Sequence, residues 1–308
     1  MSLSERPVQT PDVAETSRPP SLVPVTVGVV LGVILALVWS YRFVDGVIGD
    51  NTANTLLGYD AKETAIGGAA AGIVFAFVSG LAGTFTACNI AVFGALPQLA
   101  GGTTSRARAA LTGLGWLTAG MVAVSAGYGF LAVLLGDRLP QLSDRVLSNG
   151  VPVRLVQSFV VFGLIGLAFV YLGLCTLGVV PDPFARRPRA RLVTLGALIG
   201  GFLVGRPYPL FDKLLEYAAE TRNPLYGALA LTWQSLGNVL LVAVLAGAIA
   251  LVAHATSARR AGRPRRPERA VRVAGVALIA LGTFLVVYWD VRVPSMFGFG
   301  AFPTMPWN

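Results

Sequence analysis

Residues 67–97 read GGAAAGIVFAFVSGLAGTFTACNIAVFGALP. No Asp, Glu, Lys or Arg interrupts the stretch. It is long enough to cross ~30 Å of hydrocarbon, which takes about 20 helical residues. Its Gly, Ala and Ser residues are the small side chains that let helices approach closely in lipid. Thr84, Thr86 and Asn89 flank Cys88, and Pro97 closes the run where a helix must stop or break. An apolar helix with a polar, cysteine-bearing segment inside it is therefore the feature from which the fold is read.

Six more runs of comparable character lie near 23–43, 109–135, 155–180, 192–212, 225–253 and 272–289. Of the 308 residues, 55% are hydrophobic and only 13% charged, with a mean hydropathy of +0.69. Soluble domains carry about 25% charged residues. A chain this apolar needs the bilayer as solvent, and the expectation is an all-α integral membrane protein of seven transmembrane helices. Residues 1–22 are polar and proline-bearing and read as a disordered cytoplasmic tail. They are not a signal peptide, because the apolar run after them is too long and lacks a small-x-small cleavage site.

Loop charge sets the expected orientation. With the N-terminus inside, the inside segments hold Arg6, Arg18, Arg106, Arg108, the cluster 186–191 and the cluster 259–272, which is 15 of the 24 basic residues. The outside segments hold eight, and Arg206 lies within a span. This asymmetry reads as N-in and C-out. The net charge of +9 would suggest nucleic acid in a soluble protein. No basic stripe interleaved with aromatics is present, so nucleic acid is not an expected partner and the lipid bilayer is. The loop 256–272 reads as a topology signal that also attracts anionic lipid, or else as a docking site for an acidic partner.

The two cysteines, Cys88 and Cys175, both sit in apolar runs without a CxxC pair, which excludes a disulfide-stapled secreted fold. One histidine, His254, and two distant cysteines do not make a metal site. No nucleotide loop or hydrolase elbow is present. No cofactor is expected, and a conventional enzyme is not.

The second and fifth runs look related. The fifth reads GALIGGFLVGRPYPLF over 196–211, and the runs that follow each also match, ALTGLGW at 110–116 against ALALTWQSLGN at 228–238. The copies are offset by three spans, an odd number, so they would be inverted, a common transporter construction with its site at the repeat interface.

On these residues the chain resembles, over roughly 65–289, the membrane domain of cytochrome c biogenesis protein CcdA and the central domain of the disulfide reductant conductor DsbD. The resemblance implies six spans in two inverted triplets, with 23–43 as an added helix and 290–308 as an extracytoplasmic aromatic tail. It implies a redox cysteine beside proline and glycine in the first span of each triplet, and a role in thiol-disulfide or reductant transfer and cytochrome c maturation at the bacterial cytoplasmic membrane. TACNIAVFGALP supplies Cys88 and Pro97, with Ala87 where the family has proline. GRPYPLF supplies Gly205, Pro207 and Pro209, with Tyr208, or Pro209 in a register shifted by one, where the family has its second cysteine.

Disulfide exchange needs a second thiolate to resolve the mixed disulfide. Cys88 is the candidate thiol and Cys175 a candidate partner; each also reads as a small buried hydrophobe. The candidate polar path is Thr84, Thr86, Asn89, Arg206, Tyr208, Gln234 and Asn238. Arg206 reads as a cation beside a broken helix that holds an anionic solute, or as a side chain that pairs with Asp212 or snorkels outward. Asn89, Gln234 and Asn238 also read as interhelical hydrogen-bond glue. Three functions stay open: a thiol relay degenerate in its redox chemistry, a small-solute transporter using Arg206, or a membrane scaffold whose tail 290–308 contacts an extracytoplasmic redox or membrane-protein partner.

Overall fold

The computed structural model describes residues 22–83, 106–258, 267–303 and 305. Among them the chain is helical, with an isolated bridge between Val146 and Pro152 as the extended pairing. The helices are α1 (Val23–Val38), α2 (Asp50–Leu57), α3 (Ala69–Ala82), α4 (Arg106–Leu135), α5 (Val153–Thr176), α6 (Pro188–Gly205), α7 (Pro209–Glu220), α8 (Pro224–Ala258) and α9 (Pro267–Val286). Four stretches, 112–138, 153–176, 188–205 and 271–295, are long and apolar enough to cross a membrane, and α1 with its bent continuation makes a fifth. Several of these helices open on proline, whose missing N–H costs nothing in the first turn.

Contacts fix how the helices run. Tyr226 donates to the Ala69 carbonyl, Trp233 meets Phe77, and Asn238 lies beside Gly83, so α3 and α8 are parallel. Arg189 sits over Trp116 and Gly200 packs on Met121, so α4 and α6 are parallel. Ser235 donates to Ser125 while Gly129 meets Gly227, so α4 and α8 are antiparallel. Gly166 meets Gly282 and Gly173 meets Gly275, so α5 and α9 are antiparallel. Gly201 packs on Ile165 and Gly205 on Val161, so α5 and α6 oppose each other. Gly28 packs on Ile279 and Gly32 on Thr283, so α1 runs with α9. Taken together, α1, α3, α4, α5, α6, α8 and α9 alternate in direction along the chain.

Two of these crossings share one backbone geometry. At the α3–α8 crossing a Cβ on Gly80 would fall on the Gln234 carbonyl, and one on Gly237 would fall on the Phe77 carbonyl. At the α6–α4 crossing Gly196 stands in the same way against the Leu117 carbonyl, and Gly120 against the Val193 carbonyl. Only hydrogen fits at such an approach, which brings backbones to van der Waals contact. Gly166 and Gly282 are each blocked by the other's carbonyl oxygen.

The structure moves several expected boundaries. The first run does not continue as one helix to residue 43. It ends at Val38, and a π-helical segment, Arg42–Gly49, leads into α2 after a bend of 69°. Arg292 donates to the Ala36 and Trp39 carbonyls and so satisfies backbone groups that the end of α1 leaves open. The expected fifth span, 192–212, is α6, the expected break at 206–208 and the first turn of α7, which continues to Glu220. The expected tail from 290 is helical as far as Ser295. The described part of the second run is α3, and residues 84–97, with Thr84, Thr86, Cys88, Asn89 and Pro97, lie outside the described residues, as does most of the expected tail 1–22.

Candidate functional site at the α6–α7 break

The break follows from GRPYP, residues 205–209. A residue before proline is pushed out of the helical region. Arg206, before Pro207, has φ −89° and ψ 113°, and Tyr208, before Pro209, has φ −111° and ψ 123°. These two extended residues on either side of Pro207 end α6, and Pro209 then starts α7 at a position where its ring is tolerated. Gly205 precedes them because Val161 and Phe162 of α5 leave no room for a side chain, with a Cβ there 3.1–3.2 Å from their atoms.

A helix break inside a packed bundle frees backbone carbonyls that need partners. Two glutamines take them up. Gln157 of α5 donates to the Val204 carbonyl and, at 3.2 Å, to the Tyr128 hydroxyl. Gln141, from the turn after α4, donates to the Arg206 carbonyl at 3.1 Å and to Asp212 at 2.6 Å. Asp212, in α7 and outside the apolar spans, is pushed up to about 6 because burial penalises its charged form, an effect that Gln141 and the nearby Arg154 partly offset.

The Arg206 guanidinium spans the site. Nη2 donates to Asp45 at 3.0 Å, and the group stacks 4.3 Å above the Tyr208 ring. A Cβ on Gly83 would lie 3.1 Å from Nη1 and 3.8 Å from Oδ1 of Asn238. The end of α3, the break after α6 and the middle of α8 therefore meet at one cation. Tyr208 is 1% exposed. Its hydroxyl lies under Gly49, where a Cβ would stand 2.7 Å away, and among the described residues it has no hydrogen-bond partner.

Of the expected site residues, Arg206, Tyr208 and Asn238 come together with the break formed by Gly205, Pro207 and Pro209. The expected pairing of Arg206 with Asp212 does not form: Asp45 takes the guanidinium and Gln141 takes Asp212. Arg206 does not snorkel either, since its side chain is 13% exposed. Gln234 is buried on α8 beside Gly80, and its side-chain oxygen has no partner among the described residues. Cys175 stands at the far end of α5, buried, with its thiol 3.6 Å from the Pro181 carbonyl. It is close to Arg191, which pairs with Asp182 at 3.0 Å and binds Thr176. Sequence reading passed over Asp45, Gln141 and Gln157. Gln157 carried a signal of its own, as an amide inside an apolar run. Among the described residues no His, Cys, Asp or Glu cluster could hold a metal ion.

Compared with protein-family models, with characterised proteins and with solved structures, the chain gives no match in any of the three.

Proposed function

We propose that this is a seven-span membrane protein with the inverted-repeat architecture of the CcdA and DsbD membrane domains, in which a guanidinium site takes the place of the second redox thiol and the activity is binding and passage of a small anionic solute. The first triplet is α3, α4 and α5, and the second is α6 with α7, α8 and α9. α1 is the added helix. The alternating helix directions support seven spans, and each helix of one triplet opposes its counterpart in the other. The N-in, C-out orientation in a bacterial cytoplasmic membrane rests on the arginine asymmetry of the loops.

The observation that carries the solute reading is the convergence of Gly83, Asn238, Asp45 and Tyr208 on Arg206 at a proline-made break. An ionisable group inside a membrane domain is costly and marks a functional site by default. Broken helices at a repeat interface are where transporters place their solutes. Against a dithiol relay stands Tyr208. The tyrosine at the position of the second cysteine is packed under Gly49 and has no exchangeable sulfur. Single-thiol chemistry at Cys88 is the second reading, supported by the polar residues around it in the sequence.

The test is stabilisation of the purified protein by small anions. Chloride, sulfate, acetate and phosphate are titrated against the thermal midpoint of the wild type, of Arg206→Gln and of Arg206→Lys. A concentration-dependent rise in the wild type that Arg206→Gln abolishes supports the reading. Equal behaviour of wild type and Arg206→Gln counts against it.

A further inference from the structure

A cavity of about 480 Å³ lies between the outward ends of α1, α5, α6 and α9, walled at its edge by the final helical turn Val293–Ser295 and the residues after it. Its volume is in the range of small-molecule sites. Half of the lining is aromatic, and Trp39, Phe162, Phe202, Phe284, Tyr288 and Trp289 form its wall. The rings brace one another. Phe162 stacks on Trp289 at 4.4 Å, Phe284 on Tyr288 at 5.5 Å, and Trp39 meets Phe284 edge-on at 5.3 Å. Mutually packed aromatics of this kind form a preshaped apolar surface.

The rim is cationic. Besides Tyr288, the titratable groups facing the cavity are Tyr41, Asp45, Arg154 and Arg206. Asp45 is engaged by Arg206 at 3.0 Å, so these two cancel. Arg154, in the first turn of α5, is exposed, acts on Asp212 only through its charge, and among the described residues its five donors make no hydrogen bond. A guanidinium has no acceptor and matches the two oxygens of a carboxylate or phosphate. The lining therefore combines an apolar, aromatic interior with an exposed guanidinium at its entrance.

We infer that this cavity binds a single-chain amphiphile with an anionic head, its chain against the aromatic walls and its head on Arg154. The head is a carboxylate or a phosphate, which the site would recognise by the same donors. The inference stands on the cavity and on Arg154 and not on solute passage at the break.

Two of the wall residues report on occupancy directly. Trp39 and Trp289 line the cavity, whereas Trp116 packs with Arg189 and Trp233 with Phe77 elsewhere, and the fifth tryptophan, Trp307, is replaced by Phe in every sample. Purified protein in nanodiscs is titrated with dibromostearate, with a brominated lysophosphatidic acid and with a neutral dibrominated fatty alcohol, and tryptophan quenching is followed. The expected result is saturable quenching by one or both anions, weaker and non-saturating quenching by the alcohol, and a loss of apparent affinity of about fivefold or more in Arg154→Gln, with Arg154→Lys intermediate. Whichever anion binds more tightly identifies the head group. Saturable quenching should also disappear in Trp39→Phe/Trp289→Phe. Equal affinity for the alcohol, an unchanged affinity in Arg154→Gln, or quenching that persists without both tryptophans would overturn the inference. Arg154 lies at the surface, so its replacement leaves the fold intact, and a null result there is informative. Failure of this test with anion stabilisation still lost in Arg206→Gln would leave the reading of the break standing.

Discussion

The crossing of α3 with α8 and the crossing of α6 with α4 have one backbone geometry and two chemistries. Gly80 and Gly237 make the first, Gly196 and Gly120 the second, each pair seating its glycines on the other helix's carbonyls. Side chains at matching places differ. Gln234 in one crossing corresponds to Leu117 in the other, and Asn238 to Met121. Leu117 and Met121 belong to a hydrophobic cluster with Phe169, Leu195 and Phe202, while Gln234 and Asn238 lie on the side of α8 that Gly80 and Gly83 face. The two crossings share a backbone geometry because close packing at glycine constrains the backbone. Their side chains differ because the polar residues around Arg206 lie at only one of the two crossings.

The comparison is broken most severely at its glycines. Gly80→Ala and Gly196→Ala each drive a Cβ into a backbone carbonyl, which cannot move aside as a side chain can, and each should cost about 3 kcal/mol or more. Gly115→Ala, whose Cβ would meet nothing within 4 Å, is the control and should hold or slightly raise stability, since Ala is the better helix former. Thermal unfolding in detergent reads all three. Equal losses at 80 and 196 support equivalence of the crossings, and tolerance of either one removes it.

Breaking the charge pair should cost less. Arg206 and Asp45 are 13% and 31% exposed, so water screens the pair only in part. Asp45→Ala leaves a mostly buried guanidinium with one partner fewer and should cost about 1–3 kcal/mol. In a double-mutant cycle, Asp45→Ala in the Arg206→Gln background should cost clearly less than in the wild type. Additive losses would mean the pair is not coupled in the membrane.

A smaller effect comes from pH. Asp212 in the folded protein titrates near 6, against 3.8 ordinarily, because burial disfavours its charge. The folded state therefore binds more protons than the unfolded chain between these values, and stability falls as pH rises from about 4 to 6. The limit from this group is about 3 kcal/mol. Asp212→Asn should flatten that part of the stability profile and keep the hydrogen bond from Gln141. An unchanged slope in the variant would place the titration elsewhere.

The proline-made break was legible in the sequence because it is local: GRPYP forces two extended residues wherever it occurs. The apolar runs and the loop arginines were legible because lipid imposes length and composition on every span. The rhyme of ALTGLGW with ALALTW was also legible, and it falls where the two crossings match. The partner of Arg206 was not legible. Asp45 is 161 residues away in the chain, and its reach depends on the π-helical segment after α1, which the hydrophobic pattern does not announce. The capture of the Val204 and Arg206 carbonyls by Gln157 and Gln141 was hidden for the same reason, since amides found by a freed backbone group leave no spacing in the sequence. Cys88 and its neighbours lie outside the described residues, so the sequence remains their only description.

The claim at the centre is that a guanidinium has replaced a thiol, and the state of the remaining thiols tests it. Native membranes are dissolved directly in denaturant with an alkylating agent so that buried thiols react, the protein is isolated, and its mass is compared with that of a sample reduced before alkylation. The prediction is the same mass in both arms, with Cys88 and Cys175 each labelled once. A mass that rises by labels only after reduction, or a reducible adduct on Cys88, would show a disulfide in use and contradict it.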